Sequence, residues 1–144
     1  MSADLKVLLN QICDKYQIDI LYVFGSRSEE IMTLINEKNK ISNLSGSDVD
    51  IGVKISPRVN LSIEQKVLLT QELEELFCAL RVDLVCLTEA DPFLAAKIIR
   101  GERLYARDKY LADEYNLYVL RRAGDLAPLE RERMALIVGA RNDG

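Results

Sequence analysis

The run Ser47-Asp48-Val49-Asp50-Ile51-Gly52-Val53 sets two carboxylates two residues apart among β-branched neighbours. On a strand, residues two apart point the same way. Asp48 and Asp50 therefore share one face, while Val49, Ile51, Val53 and Ile55 take the other, which reads as core. Two carboxylates side by side repel by roughly 4 kcal/mol at about 4 Å with an effective dielectric near 20. Such a pair is tolerable where a cation lies between the charges or solvent screens them. A third carboxylate, Asp83, stands alone in the apolar run Arg81-Val82-Asp83-Leu84-Val85-Cys86-Leu87. The chain has no histidine. Histidine triads, histidine-bound zinc and imidazole acid–base catalysis are thereby excluded, leaving carboxylates, hydroxyls, lysines, arginines and metal ions.

The elements that must position these groups are readable from periodicity. Leu5, Leu8, Leu9, Ile12, Cys13 and Tyr16 recur at helical spacing and predict an amphipathic first helix. Ile20 to Phe24 reads as a short buried strand that stops at Gly25-Ser26. A polar connection follows to Ser47, with a short helix expected over Glu29 to Lys38 and a turn over Asn43 to Ser47. Val49 to Ile55 is the second strand, closed by Ser56-Pro57. Ser62 is placed to cap a helix reaching about Leu80, with Ile63, Val67, Leu73, Leu76, Phe77 and Leu80 on one face. Arg81 to Leu87 is the third strand, so a βαβ-type unit or a helix-covered mixed sheet is expected. Asp91-Pro92 starts a helix that Gly101 stops. Arg103 to Ala106 reads as a short edge strand, and Asp108 as the cap of a helix through about Arg122. A final helix is expected over Leu126 to Ala140, with Leu126, Leu129, Met134, Ile137 and Val138 as a candidate docking face.

At 144 residues the chain is one domain with a sizeable core. Its net charge of −4 argues against broad electrostatic binding to nucleic acid. No apolar run approaches the roughly 20 residues that span a bilayer, and the polar start is unlike a signal peptide. Cys13, Cys78 and Cys86 are odd in number and lie in apolar segments, so they read as buried reduced thiols of a cytoplasmic protein.

A strand ending in Gly25-Ser26, then Asp-x-Asp on a second strand, then a lone Asp on a third, resembles in this order the nucleotidyltransferase superfamily related to DNA polymerase β. Within it the chain looks like the minimal nucleotidyltransferases, or MNT proteins. The likeness is carried by the opening helix, Val23-Phe24-Gly25-Ser26-Arg27, Gly46-Ser47-Asp48-Val49-Asp50-Ile51-Gly52-Val53, Val82-Asp83-Leu84-Val85 and Ile98-Ile99-Arg100-Gly101-Glu102-Arg103-Leu104-Tyr105. The resemblance implies an α/β (α+β) fold, a small mixed sheet covered by helices. It implies a single nucleotidyltransferase domain over 1–144, with a core to about residue 107 and a helical C-terminal extension over about 108–140.

It also implies a chemistry. Gly25 would let backbone approach a phosphate, and Ser26 would offer a hydroxyl and an amide N–H, aided by a helix beginning just after. Arg27 and Ser47 would join them in nucleotide binding. Asp48, Asp50 and Asp83 would hold metal, two Mg²⁺ ions on the family's pattern. Asp83 would also help take the proton of the acceptor hydroxyl. The implied reaction is transfer of AMP from ATP to a tyrosine of a HEPN ribonuclease toxin, silencing it. The partners expected are that toxin and ATP, without a membrane, in a homo- or hetero-oligomer. Two other readings stand beside it: nucleotide transfer to a small molecule such as an aminoglycoside, and an antitoxin acting by binding alone. One departure is plain. The segment from Arg27 to Ser47 is roughly twice the family's usual length, which leaves the placement of Gly25 and Ser26 relative to the carboxylates open. Lys54 shares the alternating face of Asp48 and Asp50, and either phosphate binding or charge balance would suit it.

Overall fold

The computed structural model describes residues 4–26, 28–37 and 48–124. The chain begins with helix α1 (Leu5–Lys15), capped by the Asp4 side chain, which accepts from the Lys6 amide. Strand β1 (Ile18–Phe24) follows, then α2 (Ser28–Glu37), β2 (Asp48–Ile55), α3 (Ile63–Phe77) and β3 (Arg81–Cys86). A short 3₁₀ turn at Leu87–Glu89 leads to α4 (Pro92–Ile99) and β4 (Glu102–Ala106). The described chain closes with α5, over 109–124. The caps read from the sequence are in place. Ser62 and Gln65 form a reciprocal capping box on α3, and Asp91 accepts from two amides of α4 ahead of Pro92. Asp108 accepts from the Leu111 amide at the start of α5.

The four strands form one sheet in the order β3-β2-β1-β4. β1 pairs antiparallel with both β2 and β4, whereas β2 and β3 run parallel, joined by the α3 crossover. β1 is central and buried on both faces, which explains its unbroken apolar sequence. Leu21 and Val23 meet Val49, Ile51 and Val53 of β2, with Leu9 and Cys13 of α1 and Leu69, Leu73 and Phe77 of α3 above them. Ile20, Tyr22 and Phe24 face the other way, into a second core with Ala95, Ala96, Ile98 and Ile99 of α4 and Ala112, Val119 and Ala123 of α5. The carboxylate face of β2 is therefore not wholly solvent-facing; beyond the acidic residues it is roofed by α4.

Four details differ from the sequence reading. β1 begins two residues earlier, because Ile18 is fully buried and pairs with Ile55. α3 ends at Phe77, where Cys78 turns left-handed at φ 50°, so Leu80 lies outside the helix and exposed. Ile63 and Val67 are also exposed; the buried stripe of α3 is Leu69, Leu73, Leu76 and Phe77. The same turn carries the Cys78 thiol to the surface, correcting the expectation of a buried cysteine there, while Cys13 is fully buried.

The seat of α4 depends on Gly52. A Cβ built there would lie 2.4 Å from Cγ2 of the fully buried Ile98. Gly52→Ala is expected to destabilise the fold by about 1–3 kcal/mol through overpacking, seen as a lower urea midpoint. Shortening the opposing side chain in a Gly52→Ala, Ile98→Val double variant should recover part of the loss.

Candidate active site

The acidic residues come together because of strand register. Asp50 of β2 is opposite Asp83 of the parallel strand β3 and opposite Phe24 of β1. Side chains at paired positions share a face. Asp50 and Asp83 accordingly meet within hydrogen-bonding reach. Asp48, the first residue of β2, is one step outward along the same face, exposed and in register with Arg81. The Arg81 Nε donates to Asp83 Oδ1 at 2.9 Å, and the Asp83 side chain remains 43% exposed. The site is thus an open rim at one end of the sheet, with Asp50 its most enclosed member.

Asp50 carries the electrostatic strain. Partial burial raises its carboxyl above the usual carboxylate range, and repulsion from Asp83 and Asp48 adds to the rise, while the Lys97 ammonium opposes it. Lys97 belongs to α4 and escaped the sequence reading. Only the packing of Ile98 over Gly52 brings that helix to the carboxylates.

Gly25 closes the other side of Asp50. It takes a φ of +84°, and a Cβ there would lie 2.6 Å from Asp50 Oδ2. Glycine is needed for both reasons: the left-handed backbone and the space its missing side chain leaves for the carboxylate. The Gly25 carbonyl accepts from the Ser28 amide at 3.3 Å, forming the turn into α2. Ser26 is exposed on that turn, two residues before the helix begins. The Gly-Ser pair thus abuts Asp50 despite the long connection that follows. Arg27 and Ser47, the other two expected nucleotide contacts, lie outside the described residues, as does the helix expected over Leu126 to Ala140.

Lys54 is displaced from this group. It sits at the far end of β2, where its Nζ is 3.4 Å from Asp19 Oδ2 and lies over the Tyr115 ring. Charge balance with Asp19, not phosphate binding beside Asp50, is its role. It lines a cavity of about 570 Å³ together with Arg107, Leu111 and Tyr118.

No three metal-ligating side chains converge into a closed cage among the described residues. The donors that do meet, Asp50 and Asp83, are carboxylates. Such donors suit Mg²⁺, which is commonly held by one or two carboxylates, several waters and substrate phosphates. A carboxylate pair beside the Gly25–Ser26 turn is compatible with metal-assisted phosphate chemistry.

Comparison with known proteins agrees. Residues 8–110 match the family described as polymerase beta, nucleotidyltransferase. The chain belongs to that nucleotidyltransferase family. Its solved structural neighbours share the fold at low sequence identity. A chain of a toxin–antitoxin crystal structure with AMP-PNP superposes with a TM-score of 0.61 at 22% identity, covering 94% of this chain and 98% of that one. A chain of the MntA–HepT toxin–antitoxin gives 0.59 at 18% identity, covering 95% and 97%. A third, from a tri-AMPylated Shewanella oneidensis HEPN toxin in complex with MNT antitoxin, gives 0.60 at 19% identity, covering 95% and 96%. A sequence comparison with curated proteins gives no match.

The raised Asp50 carboxyl has a consequence for the nucleotidyltransferase without metal. With its folded value above its unfolded one, the native chain binds more protons than the unfolded chain between the two values. Its contribution to stability is then full below the ordinary carboxylate value and falls as pH rises through the raised one. Asp50→Asn should therefore melt higher than wild type in EDTA near about pH 8, with the gap closing towards about pH 4, the ordinary carboxylate value. Thermal melts across that range check the sign; a variant that melts lower at the alkaline end contradicts it.

Proposed function

We propose that this nucleotidyltransferase is an MNT-type antitoxin that transfers AMP from ATP to a tyrosine of a cognate HEPN ribonuclease toxin. The observation that carries the reading is the Asp50–Asp83 pair set directly against the Gly25–Ser26 turn. It joins a site for hard cations to a site for phosphate at the start of a helix. Structural neighbours with AMP-PNP and with an AMPylated HEPN toxin support the same substrate and partner. We read the chain as one catalytic domain over 1–144 with a core to about residue 107 and a helical extension beyond, working in the cytoplasm as a homo- or hetero-oligomer.

In this mechanism Ser26 and the amides at the start of α2 bind phosphate oxygens, and Asp48, Asp50 and Asp83 would hold Mg²⁺, two ions on the family's pattern. When bound, the metal supplies charge neutralisation and Lewis-acid activation at the α-phosphate. The phenol oxygen of the acceptor forms a bond to the α-phosphorus. The bond from that phosphorus to the bridging oxygen of the β-phosphate breaks, and pyrophosphate leaves with the electron pair. The phenol proton passes to the Asp83 carboxylate, on the open side of the pair. The exposure of that side gives a folded protein acceptor access.

The Asp48→Asn, Asp50→Asn double variant keeps side-chain shape and loses the charge that holds metal. It should bind the toxin and fail to protect cells co-expressing it, while wild-type-treated toxin gains the mass of AMP on a tyrosine. Undiminished protection by the double variant, with toxin mass unchanged under wild type, identifies neutralisation by contact instead.

A further inference from the structure

Resting on the reading of this centre as an ATP-dependent transferase, we propose that Lys97 binds the pyrophosphate portion of the nucleotide beside Asp50. The argument begins with α4. Ile98 fills the space above Gly52, where even a methyl group would collide, and Gly52 is the next residue after Asp50 on the same strand face. At the end of the helix, Gly101 approaches the Val23 carbonyl and Phe24 so closely that a Cβ would lie 2.4 Å from that oxygen. Phe24 is the strand partner of Asp50 and the neighbour of Gly25. Both close contacts follow Lys97 in the helix, and Gly101, one turn beyond it at i+4, shares its side of α4, so the row that carries Lys97 runs toward Phe24, the strand partner of Asp50.

The side chain is exposed, unlike those of Ala95, Ala96, Ile98 and Ile99 around it, so packing gives no reason for it. Its ammonium nevertheless acts on Asp50. Among the described residues it closes no ion pair. Several neighbouring cations are occupied, Arg81 by Asp83, Arg103 by Asp113, and Lys54 and Arg107 by Asp19. Lys97 is a cation held beside the carboxylates and left free for a further negative charge. A triphosphate resting on the Gly25–Ser26 turn and on metal at Asp50 brings that charge to it. The β- and γ-phosphates carry most of the charge, and pyrophosphate gains more as it leaves, so an ammonium there assists both binding and departure.

Titrations of ATP, ADP and AMP in Mg²⁺ buffer onto wild type, Lys97→Met and Lys97→Arg test the assignment. One charge-assisted hydrogen bond corresponds to an affinity change of about 10- to 150-fold. Lys97→Met should lose about that much for ATP and ADP and little for AMP. Lys97→Arg should recover most of it and melt like wild type. If Lys97 only offsets the charge of Asp50, Lys97→Met will instead bind Mn²⁺ more tightly and lose no preference for longer phosphate chains. That outcome overturns the assignment while leaving nucleotide transfer intact. A wild-type protein that binds no ATP overturns the underlying functional reading, and this assignment with it.

Discussion

Everything at this site follows from two like charges held within hydrogen-bonding reach. Asp50 and Asp83 meet because β2 and β3 are parallel and in register, and that register is fixed by the α3 crossover and by the core on the opposite sheet face. A one-residue slip of either strand would send its carboxylate into the apolar core, so the hydrophobic pattern of Val49, Ile51, Val53 and Val82 holds the acids in place. The repulsion is not relieved by distance. It is offset in part by Arg81 on Asp83 and by Lys97 near Asp50. A centre that stores unfavourable charge in a rigid frame is poised to gain from a cation.

The frame has a second requirement, absence of bulk. Gly25 must lack a side chain so that Asp50 can turn towards β1, Gly52 so that Ile98 can seat α4, and Gly101 so that the chain can leave α4 across the end of β1. Gly25 borders the carboxylate itself, and the other two glycines seat the helix and turn beside its strand. The second core lends rigidity to this arrangement: the Tyr22 hydroxyl donates to Asn116 and the Arg103 guanidinium pairs with Asp113, tying β1 and β4 to α5.

Most of this frame is legible in the sequence. The strands were visible because β1 and β2 are short apolar runs with unambiguous ends, and the helices because Ser62, Asp91 and Asp108 cap where caps were read. Asp48, Asp50 and Asp83 stood out because a charge in an apolar strand contradicts its surroundings. What escaped was tertiary. Nothing in the string says that the acidic face of β2 is half covered, since Asp48, Gly52 and Lys54 look polar or small. The partner of that face lies more than forty residues later, in a helix whose apolar content suits either side of a sheet. Lys54 shares that face as its alternation implies, and of its two readings charge balance holds, because alternation gives the face but not the distance along it. Lys97 went unnoticed because an exposed lysine on a helix has no local signature.

The division of the sheet into two covered regions and one uncovered rim bears on what such a small domain can accept. Both faces of β1 are spent on core, so among the described residues no enclosed acceptor pocket stands above the carboxylates. The Asp83 side of the pair opens outward, whereas the Gly25 and α4 sides are closed by backbone and by Ile98. A nucleotide entering along the closed sides is held by groups of this chain. An acceptor must come from the open side and bring much of its own surrounding surface. Among the described residues the wall on that side is incomplete, which suits an acceptor that carries surface of its own.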